Sequence, residues 1–109
     1  MEKTDASDSL KAAYQTADDA YIAARMAGGD DISLMKLDNA RQIALLSYTQ
    51  VLQESLVHDN LFTRQLKGEL DAATTQLKAN LQSDQNVSAW LGMVDTMVKL
   101  AGSLASAFA

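Results

Sequence analysis

The sequence predicts an all-α protein, on three observations. Proline is absent and only five glycines occur in 109 residues, so little in the chain stops a helix. Apolar residues recur at steps of three and four along most of the length, the period of a helix face rather than of a strand. Residues that strands favour are sparse, with aromatics at 6%. The length suits a single domain over residues 1–109, and a hydrophobic fraction of 48% suffices for a core.

The first helix is expected to start near Ser7 or Asp8, both good N-caps. Leu10, Ala13, Tyr14, Ala17, Ala20, Tyr21 and Ala24 then form one stripe that faces a partner helix. The stripe is rich in alanine, which permits close approach, and Tyr14 and Tyr21 supply its bulk. Asp18 and Asp19 fall on the far side and are expected to be solvated.

The pattern stops at "AGGDDIS", residues 27–33. Paired glycines and aspartates also spell a metal-holding catalytic turn, but such a turn sits on a β-hairpin beside further acidic ligands. Here the flanks are helical. Gly28 suits the left-handed residue after a helix end, Gly29 frees the turn, and Asp30 or Asp31 can cap the next helix. A corner between two helices accounts for all four letters.

At about 100° per residue, Leu34, Leu37, Ala44, Leu45, Tyr48 and Leu52 share one face. Continued in the same phase, Phe62, Leu66, Leu70, Ala73, Leu77 and Leu81 fall on that face too. The preserved phase predicts one continuous helix over residues 31–83, roughly 75–80 Å long. Ser55 and Asp59 interrupt the stripe and favour a break near residue 58, with Asp59 or Asn60 as cap. The expectation is therefore a helical hairpin or bundle with a long central helix. It has three helices, the outer two folded back along opposite halves of the central one, or four if the central helix breaks. Ile32, Met35, Ile43, Leu46, Val57 and Leu61 lie on the opposite face, which the last helix or another subunit must cover.

"SDQNVS" offers capping side chains before a last helix from about residue 87 to 108. Its apolar face comprises Val87, Trp90, Val94, Met97, Val98, Ala101, Leu104, Ala105 and Phe108, widened by Leu91, Met93 and Leu100 to nearly half the circumference. Asp95 and Lys99, on the narrow polar strip, are spaced for a surface pair. Trp90, Leu91 and Gly92 spell W-x-G, but they fall at the start of this helix, where Trp90 reads as a core or interface anchor.

Several function classes are excluded. A net charge of -5 with no basic cluster disfavours nucleic acid and anionic membranes. Without cysteine there is no disulfide, thiolate catalysis or zinc-thiolate site. His58 is the single histidine, too few for a metal centre, and no nucleotide-binding or nucleophile motif occurs. No cofactor is implied. The expectation is a non-enzymatic interaction module that self-associates or binds a partner helix. Its anchors are expected at Trp90, Val94, Met97, Leu104 and Phe108, with Ile43 and Leu46 on the second face of the central helix. A small secretion- or phage-associated bacterial component fits this description. So do an acidic regulatory or inhibitory module for a basic partner and a protein that meets membranes through its last helix. The polar, acidic start suggests a cytoplasmic chain, with signal-less secretion as the other route.

Overall fold

Four α-helices of nearly equal length make up the computed structural model, which describes residues 3–53, 60–83 and 86–107. They are α1 (Lys3–Met26), α2 (Asp31–Gln53), α3 (Leu61–Ser83) and α4 (Val87–Ala107). The molecule measures 43 × 22 × 16 Å. That overturns a continuous helix over residues 31–83, which would be nearly twice as long as the molecule. The four-helix branch holds instead. His58, Asp59 and Val57 lie outside the described residues.

The preserved phase that suggested continuity came from counting the wrong side chains. Leu45, Leu52 and Phe62 are exposed, while Ser47, Thr63 and Thr74 are buried. The stripes that reach the core are Leu37, Ala44, Ser47 and Val51 on α2, and Thr63, Leu66, Leu70, Thr74 and Leu77 on α3. Drawn on a single helix at about 100° per residue, these stripes are roughly a quarter turn out of phase. Each buried hydroxyl donates to a carbonyl one turn back, Ser47 to Ile43 at 3.0 Å and Thr74 to Leu70 at 2.8 Å. With that bond made, a small polar side chain packs as a core residue.

The helix ends follow local chemistry. Gly28 has φ +78°; its N–H donates to the Arg25 carbonyl, and that of Gly29 to the Ala24 carbonyl. This pair of bonds is the Schellman ending. Asp30 then caps α2, accepting from the Ser33 N–H at 2.7 Å. The "GGDD" stretch is thus the corner expected of it. Asn60 caps α3 reciprocally: its Oδ1 accepts from the Thr63 N–H at 2.9 Å, and Thr63 Oγ1 accepts from the Asn60 N–H at 3.1 Å. Asn86 caps α4. The start of α1 lies earlier than Ser7, whose hydroxyl donates to the Thr4 carbonyl within the helix. Ala6, Ser9 and Leu10 are buried there, so packing extends the helix past the local capping signal.

The bundle runs up and down with neighbours in the order α1, α2, α4, α3. The α1–α2 corner approaches the start of α4, since a Cβ built on Gly29 would stand 3.6 Å from Val87 Cγ1. At the other end, Phe62 of α3 shares a pocket with Ser106 and Ala107 of α4. The first helix therefore runs alongside the whole of α2, not half of it, and α2 and α3, consecutive in the chain, stand at opposite corners. The bundle is flattened along the other diagonal: α1 touches α4, whereas the described residues of α2 and α3 do not meet. Ala6, Ala13, Ala17, Ala20 and Ala24 are fully buried on α1, a stripe of small side chains that permits close packing of its neighbours.

Candidate interaction surface

The α1–α2 pair is held by a polar staple that fixes how α2 faces outward. Arg41 Nη1 donates to Asp18 Oδ1 at 2.8 Å, and Arg41 Nε donates to Asp38 Oδ1 at 2.7 Å. Its guanidinium carbon lies 4.0 Å from the centroid of the Tyr21 ring, on whose face a cation is favoured. The Arg41 hydrogen bond holds the Asp38 carboxyl below its ordinary range, and Asp38 in turn raises the Arg41 guanidinium. Asp18 is thus not merely solvated. It is the inter-helix anchor of this staple.

With α2 set in this orientation, Ile32, Met35, Ile43 and Leu46 point away from the core and are exposed, Ile43 to 48% and Leu46 to 67%. Asn39 is exposed between them. On the flank toward α4 the stripe borders a groove of about 490 Å³, whose lining includes Ala40, Ile43, Leu91, Gly92 and Val98. The groove exists because Ala40 and Gly92 present little side chain. A Cβ built on Gly92 would meet nothing within 4 Å. Lys36 and Asp95 are the charged residues along it.

The expected anchors separate into two groups. Trp90, Val94, Met97 and Leu104 are interior residues, exposed by 1% or less, so they cannot serve as a free surface. The wide apolar face of α4 is consumed within its own chain, because α4 packs on α2 and α3 and reaches α1 across the diagonal. Phe108 lies outside the described residues. Ile43 and Leu46 lie on the outer surface, as a partner site requires. Sequence reasoning missed the contribution of Asn39 and the α2–α4 groove. The spacing of residues 32, 35, 39, 43 and 46 carried the signal for the stripe. The groove depends on which helix lies beside α2, which no local pattern reveals.

Other chemistry is thinly represented. Among the described residues, no group of three or more His, Cys, Asp or Glu side chains is placed to hold a metal. No described helix is long and apolar enough to cross a membrane. Trp90 Nε1 is buried without a hydrogen-bond partner, yet Trp90 lines none of the grooves described here. No family model, curated protein or solved structure matches the chain, so the reading of this surface rests on its own residues.

Proposed function

We propose that this chain is a non-enzymatic helical interaction module that works through the outward face of α2. The observation that carries this reading is the exposed stripe of Ile32, Met35, Ile43 and Leu46 on a bundle whose core is already filled. Leaving four large apolar side chains in line costs solvation that no described residue recovers. A partner helix laid along the stripe recovers it, with the α2–α4 groove receiving side chains from that helix. Half-buried Leu91 and exposed Ile43 give the groove its accessible apolar lining. Its apolar character suits a helix better than a charged ligand.

The test is position-specific photo-cross-linking in cells that produce the protein. A photoreactive residue at Leu46 is expected to give a discrete adduct. The same residue at Thr75, exposed on α3, is expected to give none. Equal labelling at both positions, or none at either, overturns the reading.

A further inference from the structure

The stripe on α2 is symmetric about its own centre. From Ile32 the steps are three to Met35, four to Asn39, four to Ile43 and three to Leu46. Reversing the direction of the helix reproduces the same series. A face with that property matches an antiparallel copy of itself, and self-complementarity is what a two-fold interface demands. We propose that the occupant of the α2 face is a second copy of this chain, packed antiparallel about a two-fold axis through Asn39. This rests on the reading of the α2 face as a docking surface.

In that arrangement Ile32 meets Leu46 of the second copy, Met35 meets Ile43 of the second copy, and the two Asn39 amides face each other. Each Met35 is brought beside the other chain's Ile43, at the mouth of the α2–α4 groove, where a flexible thioether fills irregular space. A lone amide within an apolar seam fixes register and direction, since any slip buries it against an apolar side chain. The Asn39 amides donate to and accept from one another only in the centred register.

Charge disfavours a basic partner on this face and leaves the seam open to a second copy. The chain carries a net charge of -5, so two copies repel over most of their surface. The seam is the exception. None of its five residues is charged, and α2 has no charged residue after Arg41 up to its end at Gln53. The same neutrality leaves a basic helix nothing to pair with there. The seam spans about 21 Å of helix axis. Its four apolar side chains expose on the order of 500 Å² per chain, and the flanking Lys36, Gln42 and Gln50 bring it toward the ~800 Å² per partner of a standard interface.

The absence of cysteine makes the geometry directly testable. Single variants N39C, I32C, L46C and T75C are treated with a short bismaleimide linker, alongside light scattering of the unmodified chain over a concentration series. The scattering mass is expected to rise from 11.7 kDa toward twice that value. N39C is expected to link to itself, because its two copies meet at the axis. I32C alone is expected not to link, its copies standing about 21 Å apart, whereas mixed I32C and L46C link to each other. T75C sets the background. The proposal is overturned if I32C links to itself as readily as N39C, which means a parallel pairing, or if no variant exceeds T75C. In the latter case, a discrete photo-adduct of Leu46 with a different protein still upholds the broader interaction reading, so the two failures are distinguishable.

Discussion

Gly28→Ala and Gly68→Ala are the same chemical change, and the structure requires them to shift stability in opposite directions. Gly28 sits at φ +78° with open space around it, so an added methyl meets no neighbour and its cost is conformational. Holding an L-residue in the left-handed region costs about 1–2 kcal/mol. The stiffer unfolded chain returns about 0.4–1 kcal/mol, for a net loss near 1 kcal/mol. Gly68 lies inside α3 on the exposed side, and a Cβ there also meets nothing within 4 Å. Here alanine is preferred, and the gain is about 0.5–1 kcal/mol. At a melting entropy of ~2.1 cal/mol/K per residue, a chain of this length shifts by roughly 4 °C per kcal/mol. Thermal melts followed by helical circular dichroism are therefore expected to separate the two variants by about 6–8 °C, with the parent between them. Gly28→Asn is expected to lose less than Gly28→Ala, because asparagine tolerates the left-handed region. Two shifts of the same sign would refute the argument, and so would a neutral Gly28→Ala.

Asn60→Ala removes the side-chain half of the reciprocal cap on α3, leaving the bond from the residue 60 N–H to Thr63 Oγ1, and is expected to cost about 1 kcal/mol by chemical denaturation, with Asn60→Ser recovering most of it. Leu77→Ala, at a fully buried site, is expected to cost about 2–5 kcal/mol, whereas Leu46→Ala at the outer face stays within ~0.5 kcal/mol when measured on dilute monomer. Asp30 and Asp38 both have depressed carboxyl values, Asp30 chiefly through the Ser33 N–H and Asp38 chiefly through Arg41. Their contribution is complete above the unfolded value near ~3.9 and is lost as pH falls through the lower folded value. The melting temperature is accordingly expected to fall on acidification below about pH 4. In Asp30→Asn, which keeps a capping oxygen but does not titrate, that fall is expected to be shallower.

The corners were legible in the sequence because their chemistry is local. Gly28 followed by Asp30 specifies a helix end and the next cap within three residues, and the bonds from Gly28, Gly29 and Ser33 realise both. The alanine stripe of α1 and the broad face of α4 were equally readable, since each is a simple helical period. Three things were not. Buried Ser47, Thr63 and Thr74 satisfy their hydroxyls within their own helices, so residues that count as polar in a pattern fill the core instead. The Arg41–Asp18 bond joins residues 23 apart, and only the pairing of α1 with α2 brings them together. The width of the α4 face suggested a subunit contact, yet a helix at the close diagonal of a flattened bundle has three neighbours and uses that width internally. The α2 stripe survives as a candidate site because, in the order α1, α2, α4, α3, no fourth helix covers it.

That same order divides the molecule into two helical hairpins, one closed by the Gly28 corner and the other by the Asn86 cap. Neither hairpin buries its inner face alone; each is completed by the other, through α2 against α4 and α1 against α3. Halves produced separately and cut between Gln53 and Asn60 are therefore complementary fragments that should fold on mixing. By the same logic, hairpins drawn from two different chains would restore every inner contact of the intact bundle. Folding of one molecule and exchange between two are thus governed by the same inner faces, and only the covalent connection of the two hairpins makes the intramolecular choice the nearer one.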